Sequence, residues 1–136
     1  MTKVTWTGGM AFEAETSTGQ KIIMDASEEF GGSNSGARPN ELLLVGLGGC
    51  TGMDVVAILE KKRQLPVSFR MEIEGDRRSE HPKAFTNIRI RYYFKGEGLA
   101  EEAVARAINL SQEKYCSSAA TLRGVAGIEY TFEIEK

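Results

Sequence analysis

The sequence predicts an α+β protein with antiparallel strand pairing, on three observations. Strand-like runs come in clusters, three before the first helical segment and two after it, instead of alternating strictly with helices. Two long segments carry helical patterning, Leu42 to about Lys62 and Leu99 to Tyr115. The chain then closes on a strand-like run, Ile128 to Ile134, which gives the order β-β-β-α-β-β-α-β and disfavours a doubly wound nucleotide fold. At 136 residues the chain is expected to form one domain spanning 1–136, large enough to bury a core.

The first third sets short β-prone runs between turn residues: Val4-Thr5-Trp6, then Gly8-Gly9, then Ala11 to Thr16, then Ser17-Thr18-Gly19, then Lys21 to Met24. This spacing predicts a three-stranded antiparallel meander. Phe30 to Gly36 is too rich in glycine and small polar residues to pack, and is expected to be a mobile loop. Pro39 suits the first turn of a helix, where an N–H has no partner, and Glu41 suits the positive end of the helix dipole. The helix that follows is apolar almost all round in its first half, so that half needs cover on every side; Asp54 and Glu60-Lys61-Lys62-Arg63 mark its wet end.

Alternation then places Val67, Phe69, Met71 and Ile73 on one face of a strand running to Glu74. In a second strand, Asn87 to Lys95, it does the same for Ile88, Ile90, Tyr92 and Phe94, and the charged stretch Gly75 to Lys83 joins the two. The second helix gathers Leu99, Ala103, Val104, Ala107, Ile108 and Ser111 on one side. A short helix is expected over Ser118 to Leu122 before the final strand.

Composition removes several classes of function. Seventeen basic and 19 acidic residues give a net charge of −2, so no excess of positive charge exists to hold a nucleic-acid backbone. The longest uncharged apolar stretch, Leu42 to Met53, carries four glycines and falls short of the roughly 20 residues a membrane span needs. The first residues contain no apolar signal core, so a cytoplasmic location is expected. Two cysteines in such a chain point to catalysis or burial before a structural disulfide.

Cys50 lies in Gly46-Leu47-Gly48-Gly49-Cys50-Thr51-Gly52, inside the first helix. Each glycine there costs up to about 1 kcal/mol relative to alanine, which makes sense only where another backbone or a substrate comes close. Two readings stand: a buried cysteine among packing glycines, or a reactive thiol near a kink at Gly48-Gly49 whose freed N–H groups lower its pKa. A dinucleotide fingerprint is disfavoured, because the third glycine is missing at the required offset and no strand precedes the segment. Cys116 falls at the end of the second helix, where a thiol can move to meet another; two thiols at helices of one core suit a sulfenic acid condensing to a disulfide. His81, the only histidine, and the two cysteines lack the paired spacing of a zinc site. Phe12, Phe30, Phe85 and Tyr115 are candidates for an apolar pocket or for ordinary core.

The stretch Arg38-Pro39-Asn40-Glu41-Leu42-Leu43-Leu44-Val45-Gly46-Leu47-Gly48-Gly49-Cys50 resembles the proline-initiated helix that carries the peroxidatic cysteine in the OsmC/Ohr family. Leu110 to Ser117 resembles the second-cysteine motif, and Arg77 to Ile88 is similar to the strand connection of the OsmC-like branch. The resemblance covers the whole chain. It implies antiparallel sheets around two central helices, an intertwined homodimer and two sites at the subunit interface. It further implies that Cys50 attacks an organic hydroperoxide, that Cys116 resolves the product as a disulfide, and that an external dithiol resets the pair with no metal or organic cofactor. Family enzymes also hold the thiolate with an arginine and a glutamate. Arg38 and Glu41 are the candidates here, with Arg77 or Arg78 as alternatives for the arginine. Counted from the proline, Asn40 occupies the usual glutamate position and Glu41 comes one residue later, about 100° round the helix. That departure keeps a second reading open, a non-catalytic dimer of the same fold that binds a small apolar ligand or senses redox state.

Overall fold

The computed structural model describes residues 1–136, which divide into two compact units, Met1–Leu43 and Leu44–Lys136. In the first unit, β1 (Lys3–Gly8), β2 (Ala11–Glu15) and β3 (Lys21–Met24) form the expected antiparallel meander in the order β1-β2-β3. Gly8 and Gly9, at φ of 115° and 57°, make the first hairpin turn in backbone that side chains rarely adopt.

The glycine-rich segment after β3 is more organised than its composition suggests. Asp25 is buried, and its carboxylate accepts hydrogen bonds from the Ala26, Ser33 and Ser35 N–H groups and from the Ser35 hydroxyl. One anion thus gathers a loop that has few apolar contacts of its own. Those bonds, led by the Ser35 hydroxyl, hold the Asp25 carboxyl down at about 2.

The first helix, α1 (Pro39–Lys61), starts at the proline as the sequence predicts. It is longer than the uncharged stretch within it, and its most apolar 18-residue window has a mean hydropathy of 2.0, enough in length and composition to cross a membrane. In this fold, however, one face of α1 lies on a sheet within the second unit. That sheet comprises β4 (Ser68–Arg77), β5 (Phe85–Lys95) and β6 (Gly127–Glu135), with β5 in the middle. Bare backbone makes the approach possible. A Cβ on Gly48 would stand 2.8 Å from Ile73 Cδ1, and one on Gly52 would stand 2.9 Å from Met71 Cε.

Ile88, Ile90, Tyr92 and Phe94 of β5 are buried on the covered face, and the Phe69 and Phe94 rings stack at 4.5 Å between centroids. Onto this face pack Leu47, Val55 and Leu59 of α1, the apolar side of α2 (Glu101–Leu110), and Ala119 and Leu122 of α3 (Ser117–Leu122). Leucine, valine and isoleucine side chains buried this way each contribute roughly 1.5–3 kcal/mol.

The α+β class is as predicted, with three departures in detail. β4 pairs antiparallel with β5, but β6 pairs with β5 in parallel, Ile90 opposite Tyr130. The reason is the crossover: α2 and α3 intervene, so the chain returns to the sheet at the end where β5 began. β4 also continues through Gly75 to Arg77, taking in the start of the charged connection, whereas Val67 stays outside the strand and exposed. Of the four aromatic pocket candidates, Phe85 is core, while Phe12, Phe30 and Tyr115 are exposed.

Candidate active site

Cys50 sits in mid-helix. α1 is helical without interruption through Gly48-Gly49, and the N–H groups that act on the thiol belong to another element. That element is α3, and its position depends on an irregularity in α2.

Regular α-helical bonding ends at Leu110 and gives way to a π-helical turn over Ser111–Tyr115, which closes as the Cys116 N–H donates to the Ser111 carbonyl at 2.7 Å. Cys116 then leaves helical conformation at φ −76° and ψ 104° and becomes the N-cap of α3. Its sulfur accepts the Ala119 N–H at 3.4 Å, an unusual use of a thiol where a hydroxyl or carboxylate is normal.

Both cysteines are free, and they are neighbours that shift one another's titration in opposite senses. Burial raises the Cys50 thiol, but hydrogen bonds from the Ser118 N–H, the Cys116 thiol, the Ser118 hydroxyl and the Ser117 N–H outweigh it, and the net shift is downward. Burial pushes Cys116 up to about 11; the Ala119 N–H opposes this, while Cys50 and the Asp54 carboxylate add to it. The two neighbouring thiols are thus tuned in opposite directions, Cys50 toward the thiolate and Cys116 toward the thiol.

Beside the pair runs a buried hydrogen-bonded chain. Thr51 Oγ1 lies 2.7 Å from both Tyr92 Oη and Ser111 Oγ. Ser111 donates to Asp54 Oδ2 at 2.8 Å, and Gln112 Nε2 donates to Tyr92 Oη at 2.7 Å. Arg123 donates to the Gln112 carbonyl and, at 3.1 Å, to Gln112 Oε1. Burial of Thr51, Tyr92, Ser111 and Gln112 is essentially complete, and each finds a partner.

The charged candidates make local contacts of their own. In the first unit Glu41 accepts the Arg38 backbone N–H at 3.0 Å, half of a capping box that explains why a glutamate stands three residues into the helix start. The Arg38 guanidinium donates to the Gly36 carbonyl at 3.0 Å and to Asn34 Oδ1 at 2.6 Å. Arg77 donates to the Lys83 carbonyl, and Arg77, Arg78 and His81 are all exposed. No three metal-binding side chains gather anywhere in the chain. Sequence reasoning found both thiols but missed Ser117 and Ser118, whose place directly after Cys116 was the available sign, and the Thr51–Tyr92–Ser111 chain, which only tertiary structure assembles.

Known proteins share this arrangement of elements. Residues 32–131 match the family described as OsmC-like protein. Protein YhfA of Escherichia coli strain K12 is 37% identical over 132 residues, covering 97% of this chain and 96% of its own. A crystal structure of a hypothetical protein from Aquifex aeolicus VF5 superposes with a TM-score of 0.82 at 34% identity, over 100% of this chain and 97% of that one. An organic hydroperoxide resistance protein OsmC from Legionella pneumophila has the same fold, with a TM-score of 0.73 at 18% identity over 98% and 95% of the two chains. A family match across most of the length, joined to a whole-chain relative well above 30% identity, makes this chain a member of the OsmC-like family.

Proposed function

We propose that the protein reduces organic hydroperoxides, with Cys50 as the peroxidatic thiol and Cys116 as the resolving one. The observation that carries this reading is the opposed tuning of two adjacent free thiols, Cys50 downward and Cys116 upward. The description of the Legionella protein as an organic hydroperoxide resistance protein supports it at the level of the family.

In the first step the Cys50 thiolate attacks the terminal oxygen of the hydroperoxide and the O–O bond breaks. Cys50 becomes a sulfenic acid, and the alkoxide leaves as the alcohol after taking a proton. The Ser117 and Ser118 N–H groups, which lower the Cys50 thiol's pKa, would also steady negative charge as it passes to oxygen. Cys116 then condenses with the sulfenic acid, forming the disulfide and releasing water. A dithiol reductant attacks that disulfide, restores both thiols and is itself oxidised to a disulfide. Arg38 and Glu41 belong to the proposal as the charged pair of the family site. A homodimer and a cytoplasmic location complete it; a reducing compartment would supply the dithiol.

The test is a single turnover with one equivalent of cumene hydroperoxide. Loss of two thiols per chain and appearance of a Cys50–Cys116 disulfide is the expected result. Cys50→Ser should abolish peroxide consumption, whereas Cys116→Ser should consume one equivalent and stall. Equal residual turnover in the two variants would refute the assignment, and unchanged thiols in the wild type would favour a ligand-binding module.

A further inference from the structure

The buried chain beside the thiols has a direction that donor counting fixes. A hydroxyl has one proton to give, and a carboxylate has none. Ser111 gives its proton to Asp54 Oδ2, so in the Thr51–Ser111 contact Thr51 must be the donor. Thr51 is then committed, so Tyr92 donates to Thr51, and Tyr92 in turn accepts from Gln112 Nε2. Gln112 Oε1 accepts from Arg123. Every donor points the same way, from the guanidinium at the end of α3 to the carboxylate on α1; the alternatives within the chain, Ser111 to the Thr51 carbonyl at 3.4 Å and Gln112 Nε2 to Thr51 Oγ1 at 3.3 Å, are longer.

The attachment points of this chain bracket the two cysteines. Thr51 follows Cys50 directly and Asp54 lies one turn further along α1. Ser111 and Gln112 open the π-helical turn that ends at Cys116, and Arg123 closes α3 just beyond it. Tyr92 fixes both to the central strand of the sheet. A π-helical turn is a strained insertion relative to regular α-helix, and relaxing it would swing the following residue by up to about 100° about the helix axis.

We propose that the chain Arg123–Gln112–Tyr92–Thr51–Ser111–Asp54 is a positioning device that keeps the π-helical turn wound so that Cys116 faces Cys50. These are positioning residues and touch no substrate. The inference rests on the peroxidase reading and concerns only its second step, the condensation of Cys116 with the Cys50 sulfenic acid.

That restriction makes it testable apart from the first step. Wild type, Tyr92→Phe, Thr51→Val and Thr51→Ser are each mixed with one equivalent of cumene hydroperoxide. Peroxide loss, sulfenic acid trapped by dimedone and disulfide formation are followed separately. In Tyr92→Phe and Thr51→Val, peroxide loss should keep its wild-type rate while disulfide closure slows tenfold or more and trapped sulfenic acid accumulates. Thr51→Ser, which keeps the hydroxyl, should close as the wild type does. Gln112→Met, which cuts the link to Arg123 but leaves the hydroxyls in place, should show the same split if either of the other variants fails to fold. Closure at the wild-type rate in folded variants would overturn the inference, as would equal slowing of both steps, the mark of a merely structural role. Failure of the wild type to form any disulfide would instead refute the peroxidase reading itself.

Discussion

The Cys116 sulfur accepts the Ala119 N–H in the same helical turn whose Ser117 and Ser118 N–H groups act on Cys50. One helix start therefore serves two sulfurs. Cys116 occupies the capping position with its pKa raised, while that of Cys50, on α1, is lowered.

The two cysteines should accordingly react with an alkylating agent over different pH ranges. Site-resolved mass spectrometry with iodoacetamide should show Cys50 modified at lower pH than an ordinary thiol and Cys116 only toward about 11. Ser118→Ala removes one of the hydrogen bonds on Cys50 but not the backbone N–H groups, so its midpoint should move upward without reaching that of Cys116. A wild-type Cys50 midpoint at or above the ordinary thiol value would contradict the assignment of nucleophile.

Cys116 should also leave a mark on alkaline stability. Its folded-state pKa is raised, so the native state holds a proton that the unfolded chain releases earlier. That contribution is fully present below the ordinary thiol range and is lost as pH rises toward about 11. Urea midpoints of wild type and Cys116→Ser, compared from neutral pH upward, should therefore differ by an amount that shifts against the wild type across this window. A difference that stays constant with pH would show that Cys116 is not shifted upward.

The outward face of α1 leads to an oligomer prediction. Val45 is 65% exposed and Met53 76% exposed, and an open apolar hollow runs along Gly49, Met53, Val56 and Phe69. A second subunit is the proposed cover for such a face. Sedimentation should give about twice 14.9 kDa for the wild type, and Met53→Glu should shift the population to monomer. A monomeric wild type at micromolar concentration would rule out a shared site.

Local pattern made much of the architecture legible. The meander, the Pro39 helix start and the period-two faces of β4 and β5 follow from residues that determine their own neighbourhood. The parallel return of β6 was not legible, because Ile128 to Ile134 reads the same in either direction. Nor was the π-helical turn over Ser111–Tyr115: Leu99 to Tyr115 keeps one helical periodicity, and the buried polar partners of Ser111 and Gln112 are Thr51 and Tyr92, distant in sequence. Asp25 shows the converse limit. Glycine and serine around it suggest motion, yet one buried carboxylate supplies the order that apolar residues usually give.

The glycine face of α1 also bears on how such a sequence can change over time. Gly48 is matched to Ile73 and Gly52 to Met71 with less than a methyl group of clearance. Both close atoms, Ile73 Cδ1 and Met71 Cε, are the free ends of flexible side chains, so a methyl gained on the helix can be met by a turn of the facing side chain without moving either backbone. An alanine at Gly48 or Gly52 is thus expected to be absorbed first on the strand side, most readily by the unbranched Met71. The helix that carries Cys50 can in this way exchange its small residues while keeping its place on the sheet.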